Sequence, residues 1–512
     1  MSQRIAVLRS VTIVSLSSYV EFALGLVVSI WIARALGPDD FGRYAFIVWL
    51  CSWLITCSNN ALTTSSTKFI AEVRGSGNAA VAAHITHRLE VLQRLCSLAV
   101  VGIFLVAALL IRPHDWSGAL LPIVALIAVA VYGKASYAML CAIAKGQERF
   151  EPEAIATVIV GIVTTVLVIA AAYVHAGLIA FIALFTVSCL ALNLANRVLC
   201  RRWLDPSAPG PVPGDVRVRL RRHLVLTAVL VLIGSFKNRT IETFLLNTFS
   251  TTAAVGYFAI AGTLTRGAIQ LFSVGLTATL LPYMAKSFGR GGVDTAARFL
   301  SESARFYWAI GLVVAGIGLV TTPGIVELLY GRRYEEAIPA IQATLVFGGL
   351  LLPAASLGAY QTVADHQDDR IRVTVGALIV NGLLGVALVP WLGLGGAVAT
   401  YVGTRIAEMV LSIHYVRRSV ASPLPAAPML RLAVAGIVAA LVAAAVVVFM
   451  PWRFAFLLAA IAFVVVFAPA SVAARYWTES DYAMMATLGL RAGPPGRAFA
   501  RLVEHARRGG LS

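Results

Sequence analysis

The groups with most chemical leverage in this sequence are charges that stand inside long apolar runs. Arg266 lies in "YFAIAGTLTRGAIQLFSVGL", with no acid at positions 262, 263, 269 or 270, one helical turn to either side. Lys134 has Ala130, Val131, Tyr137 and Ala138 at the same spacings, and Glu21 has Ser17, Ser18, Leu24 and Gly25. An ionised side chain at the centre of a bilayer costs about 2.5–3.5 kcal/mol or more, so each needs a partner or water. Arg239 and Glu242 are three apart, as are Arg405 and Glu408, so each pair can neutralise itself on one helical face. Glu21 can balance one remaining cation, which leaves a positive surplus. A phosphate-bearing ligand would supply the missing charge, because a guanidinium grips phosphate oxygens in bidentate fashion. Arg266, Lys134 and Arg239 are therefore the expected anion site, in competition with interhelical salt bridges or snorkelling to an interface.

Polar stripes suggest what else a ligand would meet. One run ends "CSNNALTTSST" (57–67), and another carries Thr263, Thr265, Gln270, Ser273, Thr277 and Thr279. Asn59, Asn60, Thr63, Thr265 and Gln270 are the expected wall for a hydroxyl-rich ligand, although packing between helices through small polar residues uses the same residue types. Glu21 is a candidate for ion coupling, since a carboxyl at mid-membrane can cycle a proton or, ionised, bind sodium; a purely charge-balancing role would look the same. The sequence holds no Walker phosphate loop, no GxSxG, no HExxH and no paired metal-ligand His or Cys. No catalytic residue, metal or cofactor is expected, and transport driven by ATP hydrolysis within this chain is excluded. Asp39-Asp40 and Asp368-Asp369 fit helix starts more simply than the acidic pair of a metal-dependent glycosyltransferase.

The elements that must position these residues are membrane helices. Hydrophobic residues make up 59% of the 512 and charged residues 13%, far from the balance of a soluble domain. The net charge of +17 comes without the aromatic-interleaved basic platform of a nucleic-acid binder, so no nucleic-acid partner is expected. Six single cysteines without CxxC spacing read as small core residues. Apolar runs long enough to span occur at about 9–33, 42–66, 90–111, 117–142, 154–174, 177–199, 223–249, 254–281, 303–325, 338–362, 371–390, 394–415, 432–450 and 453–474. The spacing predicts an all-α polytopic membrane protein of fourteen transmembrane helices. The seventh run is interrupted between Ser235 and Thr243 by Lys237, Arg239 and Glu242. The first is too long for a signal h-region and has no cleavage site after it, so it is expected to stay as a helix. Gly37 and Pro38 should stop it and turn the chain back, with Asp39 and Asp40 opening the second. Most Lys and Arg fall in alternate connecting segments, densest at Arg201 to Arg222 and after Arg475, which orients both termini to the cytoplasm.

The halves echo each other. Phe41-Gly42-x-Tyr44-Ala45 aligns with Val255-Gly256-x-Phe258-Ala259 at an offset of 214, and Ala144-Lys-Gly-Gln147 with Ala364-Asp-His-Gln367 at 220. A shared offset is what two six-helix repeats around a central cavity would give. The expected organisation is a first bundle over 1–200, a Pro/Gly/Arg linker over 201–222, a second bundle over 223–416, a linker over 417–430, a peripheral lipid-facing helix pair over 431–474, and a basic cytoplasmic tail over 475–512.

Two stretches carry a family resemblance. "ARALGPDDFGRYAF" (33–46) resembles the opening of the bacterial lipid-linked oligosaccharide flippases, the polysaccharide-transporter branch of a superfamily that also holds multidrug extruders and the peptidoglycan-precursor flippase. "ELLYGRRYEEA" (327–337) is similar to the same family's "LxG-xx-Tyr-xx-Ala" loop. The resemblance implies a flippase of the bacterial inner membrane. It would move a polyprenyl-diphosphate-linked oligosaccharide to the outer leaflet by alternating access, for O-antigen, exopolysaccharide or capsule, among membrane lipids and beside a polysaccharide polymerase. It also implies that the last helix pair borders a groove for the lipid tail. A peptidoglycan-precursor flippase, a cation-coupled drug extruder and a membrane glycosyltransferase or polymerase are the alternatives.

Overall fold

The computed structural model describes residues 3–111, 116, 118–204, 210–237, 240–450, 454–479 and 481–482, and the regular structure among them is helical. In chain order the helices are α1 (Gln3–Gly75), α2 (Ala79–Ile111), α3 (Leu120–Gly146), α4 (Glu151–Tyr173), α5 (Leu178–Trp203), α6 (Gly214–Lys237) and α7 (Thr240–Phe249). They continue with α8 (Thr252–Leu329), a 3-10 turn (Arg332–Ala337), α9 (Ile338–Leu350), α10 (Ala354–Val363), α11 (Gln367–Leu392), α12 (Leu394–Val416), α13 (Ala426–Phe449) and α14 (Ala455–Ala473). The apolar runs lie on these helices. The runs 223–249 and 338–362 are each divided into a bent pair, at 49° and 42°. Nine described helices are long and apolar enough to cross a membrane, eleven if each bent pair is taken as one span. The chain is a multi-pass membrane protein.

Two of these helices are too long to be single crossings. At ~1.5 Å per residue, the 73 residues of α1 and the 78 of α8 would each run more than 100 Å against a ~30 Å hydrocarbon core. Each contains a backbone break. In α1 it is Gly37, at φ 75° and ψ 176°, a conformation closed to ordinary L residues, with Pro38 following. In α8 it is Gly291-Gly292, the second at φ 61°. The sequence "LGPDD" thus breaks α1 at the residue where the pattern places the stop.

The described residues cluster into two compact units, the first within Met1–Ala259 and Val389–Leu394, the second within Ile260–Leu388 and Gly395–Ser512. In the first, α3 is the innermost helix: Ile123, Ile127, Ala130, Val131, Ala135 and Met139 are all buried. Close approach is secured by small residues. A Cβ on Gly146 would stand 2.8 Å from Ile70, and one on Gly133 would stand 3.0 Å from Leu190. Helix α6 packs on α1 through the Glu72–Arg219 ion pair at 2.8 Å, Phe69 against His223, and Trp53 against Phe236. Cys51, Cys141, Cys189 and Cys200 are buried as small core side chains.

The repeat-related segments at 41–45 and 255–259 meet within this unit. A Cβ on Gly256 would stand 3.1 Å from both the Gly42 nitrogen and the Pro38 carbonyl oxygen, while one on Gly42 would run into the Thr252 carbonyl. The Thr252 hydroxyl donates to Asp39 Oδ1 at 3.1 Å, and Asp40 pairs with Arg43 at 3.2 Å.

In the second unit, α8 crosses α9 where Gly311 faces Gly349, and α13 and α14 pack on α8 with Phe463 and Phe456 seated over Gly316 and Gly324. Trp308 Nε1 donates to the Met429 carbonyl at 2.9 Å. The other face of this helix pair is apolar and open, with Leu441 and Val465 exposed. The chain after α14 is tied back to α8 by the ion pair of Arg305 with Asp481 and by the Tyr476 hydroxyl, which donates to the Arg305 carbonyl at 2.7 Å.

Candidate functional site

The polar stripe at 57–67 lies on the second half of α1, and packing divides it by face. Asn59 is buried and donates from Nδ2 to the Ala135 carbonyl on α3 at 2.8 Å. Thr67 reaches the Ala142 carbonyl, also on α3, at 3.1 Å. Asn59 thereby ties α1 to α3 through its amide nitrogen. Asn60, one residue on and about 100° round the helix, is exposed. It lines a cavity of about 390 Å³ with Ser52, Thr56 and Ser235. On a neighbouring face Thr63, Thr64 and Thr67 line a cavity of about 300 Å³ with Tyr137 and the Lys145–Glu153 ion pair.

An apolar cavity of about 620 Å³ adjoins the Asn60 cleft and shares Trp49 and Trp53 with it. Phe46, Phe104, Trp116, Phe236 and Phe244 complete its aromatic lining. Phe46, Trp49 and Trp53 recur at three and four residues along α1, the period of one helical face, and that stripe is the signal the sequence reading passed over. The two cavities together present a hydrocarbon-like surface at one end and hydroxyl and amide groups at the other.

The expected cations fall differently. Lys134 is half-buried on α3, and its Nζ stands 4.7 Å from the centroid of the Tyr137 ring. An aromatic face one turn along its own helix attracts the ammonium. The Tyr137 hydroxyl in turn shares a hydrogen bond with Thr157 at 2.9 Å. Arg266 is exposed on α8 in the second unit and is engaged by the surrounding structure. Arg239 lies outside the described residues. Arg405 pairs with Glu408 at 3.2 Å, as their spacing predicts. Glu21 is exposed on α1.

The second polar stripe divides as the first does. Thr265 is buried, and its hydroxyl meets that of Thr344 on α9 at 2.8 Å, so it too joins helices. Gln270 is exposed.

Comparison with known proteins adds the following. The sequence model of a family described as polysaccharide biosynthesis protein matches residues 7–288. The fold is similar to that of the lipid II flippase MurJ in an inward closed conformation, with a TM-score of 0.73 and 13% identity over 89% of this chain and 97% of that one. It is also similar to an inward-facing multidrug resistance MATE family transporter of the MOP superfamily, with a TM-score of 0.62 and 14% identity over 81% of this chain and 98% of the other. A third match is a MOP superfamily transporter from Pyrococcus furiosus Vc1 (DSM3638), described as having a binding pocket of reverse polarity that suggests a different function. Its TM-score is 0.54 and its identity 15%, over 80% of this chain and 93% of that one. No curated protein matches the sequence.

Proposed function

Since the chain belongs to the polysaccharide biosynthesis protein family, we propose that it carries a polyprenyl-diphosphate-linked oligosaccharide from the cytoplasmic to the outer leaflet of the bacterial inner membrane. In this reading fourteen helices cross the bilayer with both termini in the cytoplasm, in two six-helix bundles followed by a helix pair, and transport proceeds by alternating access.

The observation that carries the reading is the paired cavity on α1. A lipid-linked sugar is apolar along its isoprenoid chain and dense in hydroxyls at its head. The aromatic cavity suits the first, and the adjoining cleft of Ser52, Thr56, Asn60 and Ser235 suits the second. The diphosphate requires cations, and Lys134, Arg266 and Arg239 remain the residues assigned to it. Of these, Lys134 has the most developed setting, its ammonium held 4.7 Å from the centre of the Tyr137 ring. Glu21 is assigned to proton or sodium coupling, and Asn60, Thr63 and Gln270 to the sugar.

A peptidoglycan-precursor flippase is the second reading, favoured by the similarity to the lipid II flippase fold. Both readings require a polyprenyl diphosphate, so one measurement tests the class and separates the members. Native mass spectrometry of protein purified gently from its own membranes is expected to detect a co-purifying polyprenyl diphosphate bearing a few sugars, and the sugar masses identify the glycan. Lys134→Ala and Arg266→Ala are each expected to lower its occupancy by about tenfold, the loss of one charge-assisted contact. Retention of bulk phospholipid alone, under conditions that keep such a ligand on a known flippase, overturns the reading.

A further inference from the structure

A separate cavity of about 390 Å³ lies in the first unit between α2, α3 and α5, on residues that the transport reading leaves unused. Three arginines line it, Arg94 from α2 and Arg197 and Arg201 from α5, with Glu90 as the acid among them. Glu90 stands 3.8 Å from Arg94, a long contact between half-exposed groups that leaves most of the guanidinium available. Arg197 donates from Nε to Asn193 Oδ1 at 3.1 Å, which fixes the plane of its guanidinium while its terminal nitrogens extend beyond that bond. The cavity carries an excess of positive charge.

Its inner wall adds an observation of a different kind. Ser136 on α3 lines this cavity, is 3% exposed, and its hydroxyl has no hydrogen-bond partner. A serine inside a helix ordinarily returns its proton to a carbonyl one turn back, as many hydroxyls of this chain do. Leaving a buried hydroxyl unmade costs roughly 1–3 kcal/mol, so an acceptor that enters the cavity regains that cost. Positive charge, guanidinium planes and one orphaned donor together describe a site for phosphate oxygens.

What bears the phosphate follows from the surroundings. On α2, Leu95 and Leu98 are 59% and 57% exposed, and on α5, Leu194 and Val198 are 66% and 44% exposed. These apolar side chains flank the arginines along the same two helices. A ligand held here has hydrocarbon beside its phosphate, and basic pockets between membrane helices take anionic headgroups in this way. We propose that the cavity between α2, α3 and α5 binds an anionic glycerophospholipid, its phosphodiester held by Arg94, Arg197, Arg201 and the Ser136 hydroxyl, and its acyl chains lying on Leu98 and Leu194.

The test uses the full chain in detergent, titrated with phosphatidylglycerol and read by native mass spectrometry. Wild type is expected to hold one phosphatidylglycerol in preference to phosphatidylethanolamine. Arg197→Gln with Arg201→Gln should weaken that adduct by more than about tenfold, and Ser136→Ala by about tenfold, the lower end for a hydrogen bond to a charged acceptor. Ser136→Ala keeps the assay interpretable: removing an unpartnered buried hydroxyl leaves the melting temperature unchanged or raised, so a weaker adduct reports the ligand and not the fold. Equal binding of phosphatidylethanolamine overturns the proposal, as does displacement by millimolar inorganic phosphate, or an adduct that Ser136→Ala and the arginine variants leave untouched. Preference for polyprenyl phosphate over phosphatidylglycerol also overturns it, by assigning the site to the carrier lipid.

Discussion

Gly42 and Gly256 occupy equivalent places in the two echoing halves of the chain, yet their surroundings are unequal. A side chain on Gly42 would be driven into the carbonyl group of Thr252 and would stand 3.3 Å from the Ala253 nitrogen. At Gly256 the nearest atoms, the Gly42 nitrogen and the Pro38 carbonyl, would remain at 3.1 Å, with Gly42 Cα at 3.2 Å. Both positions require a small residue because two backbones cross there and each faces a backbone oxygen, but the approach at Gly42 is far the closer. The two segments keep the residue type, while the two sides of the crossing differ in depth. The asymmetry follows from which partner supplies the helix start: the neighbours of Gly42 are the first residues of α8, whereas Gly256 packs a turn further along α8 against the "PDDFG" bend.

The sharpest way to break that comparison is to put the same methyl on each side. Gly42→Ala is expected to cost ~3 kcal/mol or more, at or beyond the upper end of overpacking penalties, since a carbonyl in a helix start cannot swing aside as a side-chain tip can. Gly256→Ala should cost about 1–2 kcal/mol, because contacts at 3.1 Å call for backbone shifts of only a few tenths of an ångström. Unfolding midpoints in mixed detergent measure both. Equal losses would mean that the crossing relaxes symmetrically, and the difference in depth would then carry no weight.

The same segments indicate what the sequence made legible. The break at Gly37 and the helix start beyond it could be read because they rest on local chemistry: a glycine with positive φ, a proline without an N–H, and acids at a helix start. Apolar runs located the helices for the same reason, and the i, i+3 spacing paired Arg405 with Glu408. The site was less legible, because burial depends on which neighbour covers a face. Asn59 and Asn60 are adjacent and identical in type, yet one holds α3 and the other lines a cleft. Lys134 has no acid one turn away in the sequence, and the contact of its ammonium with the Tyr137 ring depends on side-chain placement that spacing alone does not fix. Nothing in the sequence singles out Trp49 and Trp53, because aromatic lining of a cavity and packing in a core share one periodicity.

Two smaller substitutions extend the comparison to the polar stripes. Asn59→Ala removes the bond to the Ala135 carbonyl and leaves a gap between α1 and α3, with an expected loss of about 1–2 kcal/mol, the upper range for interhelical hydrogen bonds in membranes. Asn60→Ala at the next residue should leave the unfolding midpoint within about 0.5 kcal/mol of wild type, as for an exposed side chain, while lowering glycan export. A large stability loss at Asn60 would place it in the packing with Asn59 and take the Asn60 cleft out of the transport site.

Thr265→Val in the second stripe should have the smallest effect on stability of the packed positions. The substitution keeps side-chain volume and removes one hydroxyl from the Thr265–Thr344 pair, while Thr344 still donates to the Ile341 carbonyl at 3.1 Å. Because the partner is not left without an acceptor, the penalty for an unmade bond does not arise, and the loss should stay near ~0.6 kcal/mol, the average for such bonds in membranes. Export should be unchanged, since a hydroxyl 1% exposed in Thr265 has no ligand to meet. If Thr265→Val instead lowers export at normal stability, α8 must open away from α9 during transport and bring that hydroxyl into the path, and the second stripe would then serve the substrate in a state where the first already does.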